Sequence, residues 1–229
     1  MSQTPIIIAC DFASRAELEI FLQPFGSEPL FLKIGMELYY KEGNSLVQEL
    51  KERGYKVFLD LKLHDIPNTV AQALRSLAQL DVEYITVHAT GGAAMLKAAS
   101  EAVQGSKTKL LAVTVLTSIS EESLQRDLGV VATLDETVMA YAKMAQDNGI
   151  DGVICSPHET AAIRAQAGTE FAIVTPGIRD VNDATDDQAR VATPEWALEQ
   201  GATELVIGRS ITGSKQPLAT YMNIKERIK

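Results

Sequence analysis

The chain has 229 residues, 46% hydrophobic and 22% charged, with 21 basic against 30 acidic side chains and a formal charge of −9. That apolar share can bury a sizeable core, which excludes a disordered chain, and the acidic balance disfavours nucleic acid or an anionic membrane as the main partner. No apolar run approaches the ~18 residues of a membrane span, and residues 1–5 lack the basic stretch of a secretory leader.

In chain order, the first apolar run is Ile6–Cys10, followed by 30–34. Residues 45–53 place Leu46, Val47 and Leu50 on one helical face, and Gly54 follows as a helix stop. Next come an apolar run at 56–61 and a helix over 69–80 with Val70, Leu74 and Leu77 inward. Runs at Tyr84–His88 and 110–116 precede a helix over 133–148, whose stripe is Leu134, Val138, Tyr141 and Ala145 and whose stop is Gly149. Runs at 152–155 and 171–175 follow. Thr193-Pro194 then reads as an N-cap with proline at the first helical position, and the last run is Glu204–Ile207.

None of these runs alternates strictly with polar residues, the pattern of strands covered on both faces. Eight strand signals alternating with helices, without a linker or a composition break, match a single (β/α)8 TIM barrel of class α/β spanning 1–229. A doubly wound open sheet is the alternative, but no GxGxxG follows the first strand. Cys10 and Cys155 each lie in or at the end of an apolar run with no second cysteine nearby. They read as buried thiols of a cytoplasmic protein rather than a disulfide or metal pair.

In such barrels the active site lies at the C-terminal ends of the strands. Those ends carry Asp11, Lys33, Asp60 with Lys62, His88, Thr117, Ser156, Pro176 and Arg209. Within Asp60-Leu61-Lys62-Leu63-His64-Asp65, a period of two puts Asp60 and Lys62 on one face, and Asp65 comes from the turn just beyond. Flanking carboxylates keep a lysine protonated. Such a lysine is a proton donor or electrostatic anchor and a poor Schiff-base nucleophile. A structural salt bridge is the alternative reading. An array of Lys33, Asp60, Lys62 and Asp65 would be costly to desolvate for stability alone, which favours function.

Two later segments, Thr175-Pro176-Gly177-Ile178-Arg179 and Ile207-Gly208-Arg209-Ser210, follow the seventh and eighth strands. These barrels often bind phosphate there, through backbone N–H groups and arginine. The polar stretch 179–190 between them reads as a lid over that phosphate, against the alternative of a solvated loop. His64, His88 and His158 show no HxH or HExxH spacing, so no metal site is expected.

The run Asp60-Leu61-Lys62-Leu63-His64-Asp65-Ile66-Pro67-Asn68-Thr69 resembles the catalytic signature of the bacterial-type orotidine 5′-phosphate decarboxylases. The resemblance extends along the whole chain, through Asp11, Lys33, Leu116-Thr117, Pro176-Gly177-Ile178-Arg179, Gln188 and Gly208-Arg209. The DxKxxD core is shared with ketogulonate-phosphate decarboxylases and hexulose-phosphate synthases. Lysine at position 33 and the extension from His64 to Thr69 favour the orotidylate enzymes.

The resemblance implies decarboxylation of orotidine 5′-monophosphate to uridine 5′-monophosphate, without metal or organic cofactor, in pyrimidine synthesis. It implies Lys62 as the proton donor, Asp60 and Asp65 as its partners, and Lys33 and Asp11 on the ribose hydroxyls. Gln188, Arg209 and the Gly208 backbone would bind phosphate, with Arg179 on the lid, and Thr117 and Pro176 would complete the substrate site. It further implies a homodimer in which Asp65, Ile66 and Thr69 reach the neighbouring subunit's site. A pyrimidine contact from Ser120 is a further expectation. The rivals are a Mg-dependent enzyme of the same suprafamily acting on a keto-sugar phosphate, and a nucleotide-binding relative without catalysis.

Overall fold

The computed structural model describes residues 5–179 and 192–229. Eight parallel strands close into a barrel in sequence order: β1 (Ile6–Cys10), β2 (Phe31–Gly35), β3 (Lys56–Leu63), β4 (Tyr84–His88), β5 (Lys109–Val113), β6 (Gly152–Ile154), β7 (Ala172–Thr175) and β8 (Glu204–Ile207). β8 pairs with β1 through Ile6–Leu205 and Ile8–Ile207. Helices pack outside: α1 (Arg15–Leu22), α2 (Met36–Glu52), α3 (Pro67–Leu77), α4 (Gly92–Ala102), α5 (Glu121–Leu128), α6 (Leu134–Asp147), α7 (Thr160–Ala167), α8 (Pro194–Glu199), α9 (Arg209–Thr212) and α10 (Pro217–Arg227). No helix among the described residues is long and apolar enough to cross a membrane.

The continuous apolar runs follow from the two cores the strands divide. Ile6, Ile8, Leu32, Val57, Leu59, Ile85, Val87 and Ile173 face outward into the larger core beneath the helices. Ile7, Ala9, Phe31, Phe58, Tyr84, Leu111, Val174 and Val206 fill the barrel interior. At its floor Tyr84 stacks on Phe31 with ring centroids 5.7 Å apart, and its hydroxyl donates to Glu204 Oε1 at 3.0 Å. The same inward columns continue upward as Asp11, Lys33, Asp60 and Thr86. Polar chemistry therefore starts where the apolar fill stops.

Helix punctuation follows the sequence. Thr133 caps α6 with a reciprocal bond from Glu136, and Thr193 accepts from the Trp196 N–H at the start of α8. Two elements differ from expectation. α2 begins nine residues before position 45 and breaks at Gly43 (φ 67°). Its first turns were hidden because Met36 and Tyr40 are exposed apolar residues that make no inward stripe. β5 ends at Val113 rather than at 116, and Val115, Leu116 and Thr117 line the cavity at the barrel mouth.

Candidate active site

A cavity of about 690 Å³ opens at the C-terminal mouth of the barrel, with Asp11, Lys33, Asp60, Lys62, Thr117 and Arg209 among its lining residues. On one side runs a line of charges. Lys33 Nζ lies 2.9 Å from Asp11 Oδ1 and 3.4 Å from Asp60 Oδ2, and Lys62 Nζ lies 2.8 Å from Asp60 Oδ1. The register that pairs Ala9 with Lys33, and Gly35 with Asp60, brings these groups together from three adjacent strands.

Burial alone would lower the Lys33 pKa, but the Asp60 and Asp11 carboxylates outweigh it and hold that pKa above the ordinary lysine value. Burial likewise works against an ionised Asp60. The ammonium groups of Lys33 and Lys62, with hydrogen bonds from Lys62 and Thr86, hold that carboxyl below the usual range. Lys33 and Asp60 are thus held in their charged forms, with the one carboxylate bridging the Lys33 and Lys62 side chains.

Lys62 sits where β3 departs from regular strand geometry. Its φ is +50°, and the register against β4 slips between Leu59 and Leu63. The shared inward face of Asp60 and Lys62, expected from strand periodicity, is kept despite this kink. The backbone N–H of Lys62 donates to Thr86 Oγ1 at 2.8 Å, and that hydroxyl donates to Asp60 Oδ1 at 3.1 Å. Thr86 carries little signal in the sequence, because threonine in an apolar strand reads as a strand former. Its signal is an inward register position on the strand beside Asp60.

The opposite wall is formed by Pro176, Gly177, Arg179, Gly208, Arg209 and Thr212, following β7 and β8. Gly177 has φ +80°, a conformation that favours glycine. Arg179 is buried, and the backbone here pairs with Ala192: Arg179 N–H donates to Ala192 O at 3.0 Å, and Ala192 N–H to Gly177 O at 3.1 Å. Gln188 and the remainder of the expected lid lie outside the described residues. Between the two walls, Val113, Val115, Ile154 and Phe58 give the cavity an apolar side.

The structure does not bring every expected residue into this cavity. Asp65 and Ile66, in the turn after β3, and Thr69, in the first turn of α3, are exposed, and none of them lines the cavity. Asp65 Oδ1 accepts from the neighbouring Ile66 N–H at 2.6 Å, and among the described residues Asp65 makes no ion pair with Lys62 of its own chain. Ser120 accepts from Ser123 N–H as the cap of α5, away from the cavity lining. His64 and His88 approach each other with ring centroids 5.6 Å apart, His88 Nδ1 lies 2.7 Å from Thr90 Oγ1, and His158 packs on Trp196. Among the described residues no three His, Cys, Asp or Glu side chains converge as a metal-binding group.

The chain is similar to known proteins along nearly its whole length. Orotidine 5′-phosphate decarboxylases of Bacillus cereus and Bacillus cytotoxicus are each 50% identical to the chain, over 99% and 97% of its length and 98% and 96% of their own. A crystal structure of orotidine 5′-phosphate decarboxylase from Lactobacillus acidophilus superposes with a TM-score of 0.89 at 41% identity, covering 99% of this chain and all of the other. An uncharacterized conserved protein from Geobacillus kaustophilus superposes with a TM-score of 0.87 at 43% identity, over 98% of this chain and all of the other. The family model for orotidine 5′-phosphate decarboxylase / HUMPS matches residues 4–224, and the chain belongs to that family.

Proposed function

We propose that this chain, a single barrel domain over residues 1–229, is a carboxy-lyase that converts orotidine 5′-monophosphate to uridine 5′-monophosphate without metal or organic cofactor. The observation that carries this reading is the Lys33–Asp60–Lys62 line, which holds an ammonium group at the cavity with a carboxylate 2.8 Å from it. Breaking the bond between C6 and the carboxylate leaves an electron pair on C6 that no adjacent π-acceptor can take. A cation beside that carbon stabilises the developing charge, and the Lys62 N–H then delivers the proton that quenches it. Water returns a proton to the lysine afterwards. Asp60 disfavours an intact substrate carboxylate beside it more than the neutral CO₂ that leaves.

The remaining roles follow from placement. Lys33 and Asp11, paired at 2.9 Å, suit the ribose hydroxyls, and Thr117 and Pro176 suit the rest of the nucleoside. Gly208, Arg209 and Arg179 on the opposite wall suit the 5′-phosphate; the phosphate role of Gln188 rests on the resemblance alone. Phosphate binding energy at that wall can then be used to assemble the charged line around the reacting carbon.

Asp65, Ile66 and Thr69 act in this reading on the site of a second subunit. Their exposure, with Ile66 67% accessible, supports a homodimer with shared active sites. We place the protein in the cytoplasm, a reading supported by two buried cysteines outside any disulfide.

The test is loss of orotate absorbance when purified protein meets orotidine 5′-monophosphate in the presence of EDTA. Turnover to uridine 5′-monophosphate is expected. Turnover only of keto-sugar phosphates with added Mg²⁺ would assign the chain to the other branch of its family.

A further inference from the structure

Resting on that reading of Lys62, we propose that Thr86 is a positioning residue for the reaction: its hydroxyl clamps the Lys62 backbone in a left-handed conformation and braces the Asp60 carboxylate, so that the Lys62 ammonium is presented to the cavity. Thr86 is fully buried in β4, facing the barrel interior above Tyr84, and it does not line the cavity. Its contribution therefore passes through other groups.

The need for it arises in the backbone. β3 and β4 pair at Leu59–Ile85 and again only at Leu63–Val87, so β3 accommodates extra residues between the two points. The slip removes Lys62 from the regular ladder. A left-handed φ is costly for a residue with a Cβ and persists only where the surroundings enforce it. The Lys62 N–H, displaced from the ladder, would also be a donor without a strand partner, facing the fully buried Thr86. Thr86 Oγ1 answers that need at 2.8 Å.

The same oxygen then uses its proton on Asp60 Oδ1 at 3.1 Å, the atom that also receives Lys62 Nζ at 2.8 Å, while Lys33 approaches Oδ2. A hydroxyl can accept and donate at once, which an apolar isostere cannot do. Backbone, carboxylate and ammonium thus form a closed loop through one side chain. The charged groups facing Asp60 are Lys33 from β2 and Lys62 from β3, with Asp11 acting from beyond β1 through Lys33.

Thr86→Val removes the hydroxyl and keeps the shape; Thr86→Ser keeps the hydroxyl. Two measurements test the proposal. In ligand-free protein, carboxyl ¹³C NMR should show Asp60 titrating at higher pH in Thr86→Val than in wild type and returning towards wild type in Thr86→Ser. With orotidine 5′-monophosphate, Thr86→Val should lose roughly 10- to 100-fold in kcat, as misplacement of a reacting group does, with KM within about threefold. Thr86→Ser should recover most of that loss.

An Asp60 titration that does not move in Thr86→Val overturns the proposal, as does an unchanged kcat. A wild-type protein that fails to turn over the nucleotide tells against the proposed function, and the Asp60 titration still decides the clamp. If Thr86→Val does not fold, hydrogen exchange at the Lys62 amide of wild type decides it: strong protection is expected, and exchange as fast as an open loop overturns it.

Discussion

Replacing Lys33 by methionine removes the charge from the middle of the line while nearly conserving side-chain volume. Lys33 and Asp60 side chains are 10% and 15% exposed, whereas Asp11 is 64% exposed. Removing one partner of a buried ion pair costs about 3–5 kcal/mol, because the remaining charge is left uncompensated. Here Asp60 keeps Lys62 at 2.8 Å, which sets the expected loss at the lower end, about 3 kcal/mol. Asp11→Asn breaks only a pair with a mostly solvated carboxylate and should cost no more than about 1 kcal/mol.

Urea unfolding at pH 7 with a common m-value measures both. The pH dependence supplies a second check. Asp60 has a depressed pKa in the folded protein, so its contribution is present above the ordinary carboxylate range and is lost as pH falls through its folded pKa. Lys33 has a raised pKa, so its contribution is complete below the ordinary lysine value and is lost only as pH rises through its folded pKa. The stability gap between wild type and Lys33→Met should therefore be widest near neutrality and narrow on acidification. A loss below about 1 kcal/mol, or one equal to that of Asp11→Asn, would refute the reasoning that this line is a buried, mutually compensated array.

Two further outcomes are expected. Arg209→Ala removes a charged contact worth ~1.5–3 kcal/mol and should lower kcat/KM roughly 10- to 150-fold; an unchanged kcat/KM would take Arg209 out of the phosphate site. Mixing inactive Asp65→Ala and Lys62→Ala subunits should restore activity in one of the two sites of each heterodimer. No recovery after confirmed subunit exchange would count against a shared site.

The barrel was legible because a strand buried on both faces must be apolar throughout, so Ile6–Cys10 and Tyr84–His88 stand out without any alternation. Asp60 and Lys62 were legible because strand period fixes their shared face, and the backbone kink at Lys62 does not undo it. What escaped depends on partners distant in sequence. Thr86 is ordinary within its own strand and acquires meaning only from the slipped register that places it under Lys62. Asp65, two residues beyond β3, reads locally as part of the same array, yet its turn carries it outward in its own chain. The start of α2 was hidden for the opposite reason, since exposed apolar residues there blur the helical stripe that reveals its second half.

The most direct test of the central claim is turnover of orotidine 5′-monophosphate by Lys62→Ala, with circular dichroism and unfolding midpoint measured on the same sample. If the Lys62 ammonium both stabilises the carbanion and supplies its proton, the variant folds as wild type does and turnover is abolished. A folded Lys62→Ala protein with a kcat near that of wild type would contradict the account.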